Sequence, residues 1–367
     1  MKRLLPFLLP GLLAIPQAPA QTAPPQRAAV MNDAVQGGWQ PQELRDAVDL
    51  WTTIASESPL DQQARLNQFR SSRNEALVRN QGVMPATEQV KLETIVKGME
   101  AIDPDGFETH LARFHLEFPQ ASAFQHLELA QARDRDRDEL IAPMLVDAAR
   151  RGDETAMASY GTAFKQRGGV APGLWVLADD ILLSVEKNAV LIAAGEMDAY
   201  PIWARQSADA HRKDVLTVDA RMLNDVAYRL RIWEKARARG QVPGDAATFL
   251  RELPAATTRP VYLSIALGPE RITGLRDRVY VTGMALRLCE TPIDNIPQLE
   301  RNWKAMRKTT GAGPIGANYL LPGAVLLKHY RALDEEQKAA PLEHELRQLA
   351  RGYKATDRLY RSGVLEH

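Results

Sequence analysis

The sequence predicts an α/β fold that is mostly α: a small three-stranded parallel sheet with crossover helices, flanked by an N-terminal helical-repeat-like region and a C-terminal helical region. Three observations predict it. Apolar residues recur at helical spacing from Pro41 onward, as in Leu44, Val48, Trp51 and Ala55. Further on, three apolar runs of strand length (189–194, 214–219 and 259–267) alternate with helical segments, the pattern of βαβ units. Finally, 367 residues, 45% hydrophobic and 25% charged, suffice for a sizeable core, with two expected at this length, and exclude wholesale disorder.

The elements follow in order. Lys2 and Arg3 precede an apolar run over 4–15, and Ala18-Pro19-Ala20 supplies a small-x-small cleavage signal. Residues 1–20 therefore read as a secretory signal peptide, cleaved near Ala20. The run is shorter than the ~20 residues a membrane-spanning helix needs, so no transmembrane anchor is expected after cleavage. A periplasmic or secreted location follows. Loss of Lys2 and Arg3 leaves 44 basic residues against 46 acidic ones. That balance lacks the basic footprint of a nucleic-acid binder. Cys289, alone, forms neither an intramolecular disulfide nor a cysteine zinc site and reads as a small core residue.

Residues 21–40, rich in Pro, Gln, Ala and Gly, read as a flexible linker. Helices are expected over 60–80, 86–101, 105–117, 121–133, 137–151 and 153–166, separated by turn chemistry such as Asp103-Pro104-Asp105-Gly106 and Gly152-Asp153. The step from Pro119 to Asp153 has the tetratricopeptide period, so 41–170 reads as helical-repeat-like. The α/β region runs over 171–290, with 280–288 as an edge strand, and 291–367 is helical again.

Candidate site residues cluster after the first two strands, where open α/β sheets bind ligands. Glu196 and Asp198 suit hydroxyl binding or acid/base work; equally, Asp198 caps the next helix, with Pro201 in its first turn. Tyr200 and Trp203 share a helical face, as a sugar-stacking platform or as core packing. Asn224, Asp225 and Tyr228 follow the second strand as further cleft candidates, and Asn224 equally as a cap. Arg259, before the third strand, reads as a partner for Glu196, for an anionic ligand or for a surface acid. Gly311-Ala312-Gly313-Pro314-Ile315-Gly316 spells a dinucleotide fingerprint but follows a helical stretch and contains proline, so it reads as an interhelical loop. His110, His115 and His126 lack the spacing of a shared metal site, and His344-Glu345 lacks the second histidine of a zincin. The run 133–139 (RDRDRDE) reads as a solvated helix end or turn and not as a binding patch. No cofactor and no metal is expected.

The stretch 188–229 resembles a segment of the soluble C-terminal region of the protein O-mannosyltransferase-like family, the domain of unknown function 2723. Gly195, Asp198, Pro201 and Trp203 match its first turn and helix, Tyr200 stands for its aromatic, and Met222-Leu223-Asn224 matches its second turn. Arg259-Pro260-Val261-Tyr262 and 283–288 resemble its later strands. Glu196 and Met197 depart from its Asp and Asn. The resemblance covers about 175–290 and implies a related soluble module without implying mannosyl transfer. The leading expectation is an exported, non-catalytic binding or interaction protein whose partner is an envelope protein or glycan. Two alternatives stand beside it: an enzyme on envelope glycans with Glu196 and Asp198 as acid/base pair, and a helical-repeat adaptor for an envelope protein.

Overall fold

A computed structural model describes residues 33–80 and 84–365. The signal-peptide reading and the first part of the expected linker lie outside them. Residues 33–40 are not linker. Ala34–Gln36 form a 3-10 turn with Val35 buried, and the Gln36 side-chain amide donates to the Gly168 carbonyl at 2.9 Å. The apolar Ala34, Val35 and Trp39 find packing partners that composition does not reveal.

Helices α1 (Pro41–Glu57), α2 (Gln62–Arg79), α3 (Ala86–Glu100), α4 (Phe107–Glu117), α5 (Ala121–Arg133), α6 (Ile141–Arg151) and α7 (Glu154–Arg167) follow the expected punctuation. Asp61 and Asp153 cap α2 and α7 by accepting from the amides of Ala64 and Ala156, at 3.1 and 2.9 Å. α1 packs on α2, α4 on α5 and α6 on α7. α2 breaks the amphipathic rule. Gln63, Asn67, Arg70, Ser71 and Asn74 are all buried on it, because its neighbours present polar and charged partners.

α8 (Pro172–Leu183) leads into β1 (Val190–Ala193), α9 (Ala199–Ala208), β2 (Leu216–Asp219), α10 (Val226–Lys235), α11 (Ala246–Ala256) and β3 (Val261–Ser264). The short α12 (Pro269–Ile272) precedes β4 (Val279–Val281) and β5 (Ala285–Leu288). The expected three-stranded parallel sheet is corrected here: the sheet has five strands, is mixed, and runs β2-β1-β3-β5-β4. β2, β1 and β3 are parallel, with Val190 opposite both Leu216 and Val261. β5 pairs antiparallel with β3 and with β4. The stretch 280–288 is thus most of a hairpin and not one edge strand. Its turn, Thr282-Gly283-Met284, is buried, and Gly283 at φ +138° makes the bend. All four residues of β1 are buried, as expected for a parallel strand covered on both faces. Helices α13 (Ile296–Ala305), α14 (Leu320–Ala332), α15 (Glu336–Gly352) and α16 (Thr356–Arg361) complete the chain.

Among the described residues one hydrophobic core, and not the expected two, runs from Val35 to Leu365, so helical regions and sheet pack together. α7 packs on α9 and thereby joins the N-terminal helices to the sheet. No helix among the described residues is long and apolar enough to cross a membrane.

Candidate functional site

The carboxyl ends of the three parallel strands meet the N-terminal helices, and most candidate residues after β1 gather there. Asp198, only 1% exposed, accepts from the amides of Ala194 at 2.9 Å and of Gly195 and Ala199, both at 2.8 Å. The Ser264 hydroxyl, at the end of β3, also reaches it. Burial pushes this carboxyl above its ordinary value against the pull of the donated N–H groups. Asp198 therefore holds the β1–α9 turn together and caps α9.

Glu196 points the other way, toward the helices. Its carboxylate forms a salt bridge with Arg73 of α2 and a second with Arg221 at 3.3 Å. Burial raises its pKa, but the two guanidiniums outweigh that and hold it well below the carboxylate range. Arg221 forks onto Asp219 at the end of β2, 2.7 Å at the closest, and donates to the Tyr200 hydroxyl at 3.0 Å. Its guanidinium also lies 4.7 Å from the centre of the Phe118 ring. Gly195 makes room for it: at φ +156° a Cβ there would come within 2.8 Å of the guanidinium carbon. His115 of α4 completes the cluster. Burial, then the nearby Arg73 charge, lower its pKa to about 4.

Sequence reasoning missed Arg73, His115 as a member, Asp219 and Arg221. A signal existed for the last two: Asp-x-Arg directly after a strand places a carboxylate and its partner at the strand end. Arg73 carried none, standing among polar helix residues 123 positions before Glu196.

The His115 arrangement makes stability depend on pH. The folded chain keeps this ring neutral below 6.5, where the unfolded chain protonates it. Stability should thus fall as pH drops from 6.5 toward 4, by about 2 kcal/mol for a half-buried ring. His110 adds to the same slope. It is 5% exposed and its Nδ1 lies 3.1 Å from Nδ1 of His126; burial first, then His126, lowers its pKa. Urea unfolding at pH 7 and pH 4.5 measures the effect. His115→Gln should remove most of its share, and an unchanged slope in that variant would refute the assignment.

The remaining candidates serve packing and capping or lie apart from Glu196. Tyr200 and Trp203 stack on each other with ring centres 5.8 Å apart, and both are buried; the Trp203 indole donates to the Thr217 carbonyl at 3.2 Å. They pack on the sheet and present no open platform. Asn224 is exposed beyond β2. Asp225 caps α10 by accepting from the Tyr228 amide at 3.0 Å and pairs with Arg150 at 3.5 Å. Tyr228 is buried, its hydroxyl accepting from the Asp219 amide at 3.1 Å. Arg259 is corrected: it does not reach Glu196. It sits at the opposite end of the sheet and donates to the carbonyls of Asn188, Ala189, Asp214 and Lys235, tying together the starts of β1 and β2.

The three fingerprint glycines are packing devices. A Cβ at Gly313 would meet the Trp39 ring at 2.2 Å and one at Gly316 the Tyr353 ring at 2.6 Å; Gly311 lies against Gly173. The charge run 133–139 is exposed at 133, 135, 136 and 138, with a turn at 135–136. Arg133 is solvated, but Arg137 turns inward to bond Gln63 at 2.5 Å, Glu108 at 3.2 Å and Glu139 at 2.5 Å, over the Phe107 ring. Cys289 is half-buried.

Residues 176–243 match the model of a family described as TMEM260-associated domain 2. The match takes 68 of 367 residues, from α8 to just past α10. It contains Glu196, Asp198, Asp219 and Arg221 but neither Arg73 nor His115. Comparison with curated proteins and with solved structures gives no match.

Proposed function

We propose that this chain is an exported, non-catalytic interaction protein, acting outside the cytoplasm on an envelope glycan or glycoprotein. The observation that carries the non-catalytic part is the occupancy of the two carboxylates. Asp198 accepts three backbone N–H bonds in a buried turn, and Glu196 sits between two guanidiniums. A general acid needs a proton near working pH, and a general base needs a free lone pair facing a substrate. Glu196, held ionised and pinned, has neither. The crevice that open α/β sheets offer at their strand ends is filled here by α2 and α4 side chains.

The glycan association rests on the TMEM260-associated match, which suggests a glycosyltransferase-related family, and on the resemblance of 188–229 to the O-mannosyltransferase-like family. Docking of the helical region on the strand ends favours the adaptor version of the reading, with the α/β module as scaffold.

The test compares wild type and Glu196→Gln on chromogenic glycosides and sugar-nucleotide donors. Neither protein should turn anything over, while the variant loses about 1–3 kcal/mol of stability with its charged hydrogen bonds. Wild-type turnover that vanishes in a folded Glu196→Gln protein would overturn the reading.

A further inference from the structure

At the other end of the sheet, where α8 feeds β1 and α9 feeds β2, lies an open cavity of about 490 Å³. That volume falls within the range of small-molecule sites. Its walls come from the last turns of α8 and α9, the loop after α9 and the residues that follow α13. Three aspartates and three arginines line it, so its formal charge is balanced.

Two of those six groups are fully engaged by the fold. Asp180, 2% exposed, accepts from the amides of Arg307 and Lys308, both at 3.1 Å, and from the Tyr319 hydroxyl at 2.6 Å. Arg212 donates to the carbonyls of Leu182, Val185 and Glu186 and pairs with Asp214. The other four form a row of alternating sign. Arg307 bonds Asp179 at 2.5 Å, Asp179 bonds Arg205 at 3.0 Å, and Arg205 bonds Asp209 at 3.0 Å; Lys165 closes the row on Asp209. Both Asp179 contacts use Oδ2, and Oδ1 has no partner among the described residues. Beside the row, Leu183 is 40% exposed and Ala305 adds a second apolar surface.

We infer that this cavity binds a neutral polyhydroxylated ligand, one or two units of an uncharged sugar chain. A ligand anion would face three carboxylates, and a ligand cation three guanidiniums. A hydroxyl group both donates and accepts. Neighbouring hydroxyls on a sugar ring can therefore bridge successive carboxylates and guanidiniums along such a row. The C–H face of the ring would rest on Leu183 and Ala305. The inference rests on the glycan-binding reading above but places the contact on a face remote from Glu196.

The full chain is titrated calorimetrically with maltose, lactose and chitobiose, and separately with glucuronate and putrescine. At least one neutral disaccharide should bind with a Kd of about 1 mM or tighter, at least about tenfold better than either ion. Asp209→Asn, which removes an acceptor, and Leu183→Trp, which fills the cavity, should each weaken it about tenfold or more. Thermal unfolding confirms that both surface variants stay folded. Binding of a disaccharide that persists in both variants would overturn the site while leaving the glycan reading standing. Absence of binding by all three disaccharides at ~50 mM, or preference for glucuronate or putrescine, would overturn the inference itself.

Discussion

Replacing Arg221 by leucine is expected to cost about 3–5 kcal/mol, the cost of breaking a buried ion pair by removing one partner. Its closest partner, Asp219, has a fully buried side chain at the end of β2, and its second, Glu196, would keep only Arg73. Leucine fills much of the volume but leaves the Asp219 carboxylate without its counter-charge and the Tyr200 hydroxyl without its donor. Lysine in the same place restores one charge without the fork and should recover part of the loss. Denaturant unfolding of the two variants measures this. Equal losses for leucine and lysine would show that shape, not charge, is what Arg221 contributes. A double-mutant cycle with Arg73→Leu should show coupling, since both guanidiniums grip Glu196.

Gly173→Ala is expected to cost about 3 kcal/mol, the upper end for overpacking a core. A Cβ on this α8 residue would stand 2.0 Å from the Gly311 carbonyl oxygen and 2.6 Å from the Ala312 nitrogen. Both are backbone atoms, so no side chain can swing away. The contact pins the loop before α14 against the first turn of α8, and moving it also disturbs Trp39 on Gly313. Gly311→Ala is the control. Its own Cβ would meet only the Thr309 hydroxyl at 3.4 Å and the Gly173 Cα at 3.8 Å, so it should cost clearly less. Thermal unfolding separates the two; an equal loss would sink the contact as the explanation.

Much of the fold was legible from residue pattern. The seven N-terminal helices and the first three strands lie close to where apolar period and turn residues place them, because those signals act over a few neighbouring residues. The hairpin β4–β5 was not, since its turn, Thr282-Gly283-Met284, is buried and Gly283 was read as part of a continuous strand. The burial of polar residues on α2 was not legible for a related reason: Gln63 and Arg70 bond Arg137 and Asp33, which come from remote segments. Of the candidate site, Asp198 as a cap was readable, being a bond to the next residues in the chain. Arg73 with Glu196 was not, because the pair joins positions 123 apart. Arg259 was misdirected against the expected topology itself: in a parallel sheet a residue before β3 stands at the opposite end from one after β1.

The chain's local chemistry by itself determined the helices, the apolar strand segments and the capping turn at Asp198. Each of these depends on interactions between near neighbours in sequence. Only the tertiary structure decided that Glu196 is held by Arg73 and Arg221, that the fingerprint glycines serve close packing, and that a charge-balanced cavity opens at the far end of the sheet. Those features depend on which distant groups share a low-dielectric interior, and there the nearest counter-charge, not the residue type, sets what a carboxylate can do.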